Sequence, residues 1–109
     1  MPKTYHGIRT SSGLLRVMRV HVGSPLPLYL NEVNHSPTGF ECGYCGSGPS
    51  QLAYAILRDY IGPNRALELY YAFRNTVVAD LPRDRNWFLL EEDLDAALER
   101  LNALPEAHL

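Results

Sequence analysis

The sequence predicts a small α+β domain, in which an antiparallel sheet or meander of about three or four short strands is followed by three helices packed on one face. Apolar and polar side chains alternate in the first thirty residues, with the two-residue period of a strand. In the second half, apolar side chains recur at the three- and four-residue steps of a helix. The 109 residues, 46% hydrophobic and 20% charged, suffice for one core, and we expect one domain over residues 1–109.

Strands are expected mainly at the start of the chain. Residues 14–22 alternate, and a strand at 5–9 would pair with them through a turn at Gly13 as a hairpin. Residues 26–30 are apolar, but nearby prolines confine them to a sheet edge or an extended segment. We expect a short strand at 40–42. Residues 87–89, which contain the single tryptophan, form one more short strand or an extended crossing, with Trp87 as a core anchor.

Three helices are predicted from the prolines and glycines that begin or end them and from the helical spacing of apolar residues. The first begins at Pro49 and Ser50 and ends at Gly62. The second covers 63–81, and its inner stripe is predicted to be Leu67, Tyr70, Phe73, Val77 and Leu81. The third covers 91–102 and is closed by Pro105, with an inner stripe of Leu94, Ala97, Leu98 and Leu101. Its acidic first turn suits the positive end of the helix dipole.

Charge is small in total and unevenly distributed. The net charge is −2, so nucleic acid is not an expected partner. A strand face around Arg16 and Arg19 is the remaining argument for DNA or RNA. Residues 1–30 carry four basic side chains and no acid, whereas residues 84–109 carry seven acids and two arginines. We expect the two ends of the chain to lie near each other or to meet across a homodimer interface.

A glycine-rich loop precedes the first helix and is the most informative segment. Such a loop delivers free N–H groups to a helix N-terminus, where phosphate or carboxylate binds. The candidate ligand-binding residues are Gly46, Ser47, Gly48, Ser50, Gln51 and Arg58. No Walker A lysine or dinucleotide-binding fingerprint is present. The alternative is structural: the glycines allow a sharp turn close to a neighbouring backbone.

The two cysteines form a C-x-x-C pair without a second pair to complete a zinc site. Cys42, Cys45 and His35 are weak metal candidates, and we expect two packed, reduced thiols, no metal and no cofactor. No catalytic residue is predicted, because no nucleophile elbow or complete acid–base constellation is present. The first residues lack the apolar run of a signal peptide, so a cytoplasmic location is expected.

The sequence around the loop resembles the signature of the DUF6166 family. The residues that carry the resemblance are Asn34, His35, Ser36, Pro37, Gly39, Phe40, Gly43, Tyr44 and Pro49. It extends to Tyr5–Gly7 and Trp87, and so spans nearly the whole chain. Cys42 and Cys45 depart from the family pattern. The family comprises small proteins of bacteria, phages and other mobile elements, and the resemblance implies an accessory protein without an established activity.

Two functions remain open at this level. The first is a non-enzymatic binding protein that acts on a protein of the host or of a defence system, as an inhibitor for example. The seven tyrosines of the chain support it, because tyrosines anchor protein interfaces. The alternative is a domain, enzymatic or not, that binds a phosphate-bearing ligand such as a nucleotide at the glycine-rich loop.

Overall fold

A hairpin forms at the start of the chain in the computed structural model, which describes residues 2–102. Strand β1 (Thr4–Arg9) pairs antiparallel with β2 (Leu15–Arg19). Gly13, with φ +89°, closes the predicted turn. β2 ends three residues before the predicted residue 22, because the N–H groups of residues 22 and 23 both donate to the carbonyl of Arg19 and turn the chain.

The sheet has four antiparallel strands in the order β3-β2-β1-β4. Strand β3 (Ser24–Pro25) occupies one edge, where proline is tolerated, and β4 (Trp87–Leu90) occupies the other. The strand expected at 40–42 is wrong: Phe40 forms one isolated bridge with Leu15. Gly43, with φ +88°, then turns the chain before a strand can extend.

Three helices and one turn of 3₁₀-helix complete the fold, which is the predicted α+β architecture. Helix α1 (Ser47–Ile61) begins at Ser47 and so takes the last glycine and the proline of the loop into its first turn. Helix α2 (Pro63–Thr76) ends five residues before Leu81, and the 3₁₀ turn covers Val78–Asp80. Helix α3 (Glu91–Asn102) has the predicted bounds, and Pro105 lies outside the described residues.

The predicted stripe on α2 is only partly correct, and two of its members, Val77 and Leu81, lie half-buried beyond the end of the helix. Leu67 is exposed, and the buried positions of this helix are Ala66, Tyr70 and Phe73. These three residues recur at steps of four and three, so they share one face, and Leu67 is rotated about 100° away from Ala66. The predicted stripe on α3 is closer, with Leu94, Ala97 and Leu101 buried.

The core lies between the inner face of the sheet and the central helix α1, whose residues 48–57 are all buried. The sheet contributes Tyr5, Val17 and Trp87. A Cβ on Gly7 would lie 2.1 Å from Cε2 of the Trp87 indole, so only glycine fits opposite this tryptophan. Trp87 is therefore the predicted core anchor.

The basic and acidic ends of the chain are neighbours through β1 and β4. The backbone N–H of Lys3 donates to the Glu91 carboxylate at 2.8 Å. The strand arginines pair elsewhere, Arg9 with Glu41 and Arg19 with Asp59, each at 2.9 Å. Arg19 is therefore paired within the fold, and Arg16 is the exposed arginine of β2. None of the helices in residues 2–102 has the length and apolar character needed to cross a membrane.

Candidate functional site

The signature loop is fixed to α1 by one buried amide. Gln51 Oε1 accepts the backbone N–H groups of His35 (2.7 Å) and Ser36 (3.0 Å). Its Nε2 donates to the carbonyls of Leu28 (2.7 Å) and Val33 (2.8 Å). Two acceptor sites and two donors are the full capacity of a carboxamide. Gln51, a candidate ligand contact in the sequence, is therefore a structural clamp with no hydrogen bond left to offer.

The glycines of the loop allow its backbone to lie close to neighbouring segments of the same chain. Gly43 has φ +88°, and a Cβ there would lie 1.9 Å from Cγ of Arg83 and 3.0 Å from the Leu81 carbonyl oxygen. A Cβ on Gly48 would lie 2.6 Å from Cβ of Glu41 and 3.1 Å from its backbone nitrogen. At both positions glycine is needed for packing, which agrees with the structural alternative given by the sequence.

The first turn of α1 is partly open to solvent. Gly46 is extended and serves as the N-cap without a side-chain hydrogen bond, and Ser47 is exposed. Ser50 is buried, and its hydroxyl donates to the Gly46 carbonyl at 2.7 Å. Arg74 of α2 reaches this turn, because its Nη1 donates to Ser50 Oγ at 2.9 Å. The arginine beside the loop is therefore Arg74.

Arg58 does not join this group, contrary to the sequence-based expectation. It lies eleven residues beyond Ser47 on the same helix, a separation of about 16 Å along the axis. There it donates through Nε to Glu32 at 2.9 Å and lies 4.7 Å from the ring centroid of Tyr29. Arg58 therefore holds the opposite end of α1 against the preceding loop.

Two stacks of an arginine on a tyrosine lie beside the loop. The Arg83 guanidinium lies 4.8 Å from the ring centroid of Tyr44, and the Arg74 guanidinium lies 5.0 Å from that of Tyr71. The hydroxyl of Tyr71 lies 3.4 Å from His35 Nε2. We call these five residues the arginine–tyrosine strip. Cation–π stacking of this kind holds both the arginine and the ring in a defined orientation.

Buried contacts join the two halves of the strip. A Cβ on Gly46 would lie 2.7 Å from the Tyr44 ring, which therefore covers this glycine. The Gly46 carbonyl binds Ser50, and Ser50 binds Arg74. The chain of contacts thus runs without a break from Arg83 to His35.

A histidine and two tyrosines form the end of the strip. His35 Nε2 lies 2.9 Å from the hydroxyl of Tyr70, and the two tyrosine rings stack at 4.4 Å. Tyr70 is 6% exposed and Tyr71 is 48% exposed, so only the second presents its ring to solvent. Burial, followed by the contact with Tyr71, raises the pKa of Tyr70 to about 12. The Tyr70 hydroxyl is thus protonated at neutral pH.

The charge of the strip is positive. No carboxylate forms a salt bridge with Arg74 or Arg83 within residues 2–102. The first turn of α1 contains no acid, so its dipole adds positive potential. Glu41 and Asp84 line the same cavity as Arg83, and the pKa of Glu41 is lowered first by its hydrogen bonds from Arg9 and to a smaller extent by the Arg83 charge. Its two oxygens are held by Arg9 at 2.9 Å.

The cysteines occupy different environments, which corrects the expectation of two packed thiols. Cys42 is buried, and its thiol donates to the Pro82 carbonyl at 3.4 Å. Burial raises the pKa of the Cys42 thiol. Cys45 is exposed at the edge of the strip. Both are free thiols, and the part of the chain from 2 to 102 brings together no group of three metal-binding side chains.

The sequence predicts most of the loop residues, but it does not predict that Arg74 and Arg83 belong to the site. Arg74 follows Tyr70 and Tyr71 at the helical spacing that places side chains on one surface, and this is a usable signal. Arg83 has no such signal, because it lies in the irregular segment before β4 and reaches Tyr44 only through the tertiary fold.

The fold and the strip define a class: small α+β proteins with an antiparallel sheet, three helices and an aromatic, positively charged loop surface. A family model described as a family of unknown function (DUF6166) matches residues 5–100. The chain belongs to this family. No curated protein and no solved structure matches the chain.

Proposed function

We propose that the protein is a non-enzymatic binding protein and that the arginine–tyrosine strip binds an acidic surface of a host or defence-system protein. The observation that carries the proposal is the pair of arginine–tyrosine stacks, in which neither Arg74 nor Arg83 forms a salt bridge within residues 2–102. Carboxylates of a partner supply the counter-charge that the described chain does not.

The chemistry of the strip suits a protein partner. Tyrosine and arginine dominate the energetics of protein interfaces, because they offer large contact areas and directed hydrogen bonds. The rings of Tyr44 and Tyr71 are already oriented by their arginines, so little side-chain entropy is lost on binding. The resemblance to proteins of phages and mobile elements supports a host or defence component as the partner.

Comparative capture from host lysate tests the proposal. Wild-type protein, Arg74→Glu and Arg83→Glu would be immobilised in parallel with Arg85→Glu, a control at an exposed arginine outside the strip. We expect one acidic protein that wild type and R85E retain, and that R74E and R83E lose by a factor of about ten or more. Equal retention by all four proteins would disprove the assignment of the strip.

The phosphate or nucleotide hypothesis remains a competing prediction. Arg74 beside the first turn of α1 is the feature that favours it, whereas Gln51 and Arg58 are engaged elsewhere. Calorimetry with a panel of linear and cyclic nucleotides separates the two functions. A heat of binding that is measured with wild type and is absent with R74E would show that the strip binds a nucleotide and not an acidic protein.

A further inference from the structure

We propose that the outer face of the sheet is a self-association surface, on which two copies of the chain pack crosswise so that Arg16 of each lies over the acidic corner of the other. This surface lies apart from the arginine–tyrosine strip and shares no residue with it. The proposal therefore goes beyond the proposed function and does not depend on it.

The outer face gathers apolar side chains that the fold leaves exposed. Its central row crosses all four strands, because the register places Met18 opposite both Pro25 and His6, and His6 opposite Phe88. His6 and Phe88 lie opposite each other on β1 and β4, and their rings stack face to face at 4.0 Å and 9°. Large apolar residues at the margins of this row and on β4 are 39% to 63% exposed: Leu14, Val20, Phe88 and Leu90.

This concentration indicates an interface. Single exposed apolar residues are ordinary on any protein, but a contiguous apolar patch marks a surface that another molecule covers. The four residues are half of the eight large apolar side chains that are exposed in residues 2–102. Leu14 and Val20 flank β2, and Phe88 and Leu90 belong to β4, so the four residues come from two segments that are distant in sequence.

Opposite charges mark two diagonal corners of the face. Arg16 projects from β2 opposite Ile8 and forms no salt bridge within residues 2–102. At the other corner a cavity of about 480 Å³ lies between Thr4 and Leu90 of the sheet and the acidic first turns of α3. Its acidic lining is Glu91, Glu92 and Asp95. Glu92 accepts no hydrogen bond within the described residues, so its charge is available.

Self-complementarity makes a second copy the fitting occupant. A two-fold axis that runs diagonally in the plane of the face exchanges the two corners, and so places each Arg16 near Glu92 of the other copy. The same operation turns the strands of one sheet across those of the other, which is the orthogonal packing known for stacked sheets. Each charge contact then occurs twice in the dimer, as the symmetry requires.

The size of the face sets the strength of association. The four strands contain seventeen residues in all, which at about 4.8 Å strand spacing and about 3.3 Å rise give a footprint of about 270 Å². A standard stable interface buries about 800 Å² on each partner. The dimer is therefore a weak one, and we expect a dissociation constant between about 1 μM and about 1 mM.

Sedimentation equilibrium of the full chain over that concentration range tests association. Wild type should pass from monomer to dimer, and Phe88→Lys should remain monomeric, because the substitution places a charge in the central row. Leu67→Lys, at an exposed leucine of α2 away from the sheet, is the matched control and should dimerise like wild type. A wild type that stays monomeric, or an F88K variant that dimerises normally, would overturn the proposal.

A charge exchange tests the crossed arrangement. Arg16→Glu and Glu92→Arg should each weaken association by about fivefold or more, because each places two like-charged pairs in the dimer. The double variant R16E/E92R should associate within about twofold of wild type, since the pairs are restored in reverse. Glu99→Arg, elsewhere on α3, should leave association unchanged. A double variant as weak as the two single variants would refute the predicted contact.

The tests of self-association can succeed or fail independently of the tests of the proposed function. R16E and F88K leave the arginine–tyrosine strip intact and should still capture its partner, whereas R74E should dimerise normally. Association that is lost in R74E and kept in F88K would move the self-association surface to the strip and overturn this inference.

Discussion

The two ends of α1 are attached to the rest of the molecule by different chemistry. Near its N-terminus, Gln51 holds the signature loop by four uncharged hydrogen bonds. Near its C-terminus, Asp59 accepts hydrogen bonds from Tyr5 at 2.5 Å and Arg19 at 2.9 Å, with His21 Nε2 at 3.5 Å. The first attachment fixes a loop and the second fixes the sheet. One is neutral and the other depends on ionisation, so the two respond differently to pH.

Ionisation at the second attachment is set by competing effects. Burial would raise the pKa of Asp59, but hydrogen bonds from Tyr5 and Arg19 and the Arg19 charge outweigh it, so the pKa lies below its usual value. Burial, followed by the hydrogen bond to Asp59, raises the pKa of Tyr5. At neutral pH the pair is therefore a phenol that donates to a carboxylate.

The largest effect is expected from Gln51→Ala. The substitution leaves the polar backbone groups of four residues without their partner in the interior, which should lower the free energy of unfolding by about 3–5 kcal/mol. Urea denaturation at pH 7 measures it. Asn64→Ala, at an exposed position in the first turn of α2, is the control and should change stability by less than about 0.5 kcal/mol. A loss below about 1 kcal/mol for Q51A would show that the loop does not need the clamp.

Asp59→Asn should cost about 2 kcal/mol at pH 7, because it removes the charge and keeps the shape. The stabilisation from Asp59 is complete above the carboxyl pKa of the unfolded chain, about 3.9, and is lost as pH falls through the lower value of the folded state. The difference between wild type and D59N should therefore shrink as the pH falls below the unfolded value. The difference between wild type and Q51A should stay constant with pH, and a parallel decline would contradict the contrast between the two attachments.

Gly48→Ala tests steric fit at the neutral end. The new Cβ would lie 2.6 Å from Cβ of Glu41 and 3.1 Å from a backbone nitrogen, so the chain must move, at a cost of about 1–3 kcal/mol. Ser47→Ala is the adjacent control, because this serine is exposed and makes no capping hydrogen bond. Thermal denaturation compares the two. Equal melting temperatures would show that Gly48 is not held against Glu41.

The smallest effect is expected at Cys45. Cys45→Ser should leave stability within about 0.5 kcal/mol of wild type, because the thiol is exposed. In the native protein a thiol reagent should modify Cys45 quickly, whereas Cys42 should react only when its surroundings open, since burial raises its pKa and blocks access. Equal labelling rates of the two thiols under native conditions would show that the loop around Cys42 is not closed.

Local sequence signals were enough for the hairpin, for the bounds of α3 and for the order of sheet and helices. The edge strand is Ser24–Pro25 and precedes the predicted segment at 26–30, which contains no strand. The exposure of Leu67 was not predictable in this way, because α2 also carries Ala66, whose small side chain gives a weak signal although it is buried. The choice between two adjacent faces of this helix is made by packing.

The position of the candidate site was predictable from the sequence, but the residues that form it were not. Gly43 and Gly48 mark the loop in the sequence, and their tight contacts explain why glycine is there. The partners of Gln51 lie fifteen to twenty-three residues away in an irregular segment, so its role depends on how that segment folds back. Arg58 is a predicted ligand contact, but α1 carries it about 16 Å along the helix axis from Ser47.

The indole against Gly7 gives this protein an internal optical reporter. Trp87 is the only tryptophan in the chain, and its ring rests on the bare backbone of the first strand. Its emission is therefore sensitive to the separation of the chain's first strand from its last. A fluorescence trace recorded during unfolding follows the moment at which the sheet loses that edge.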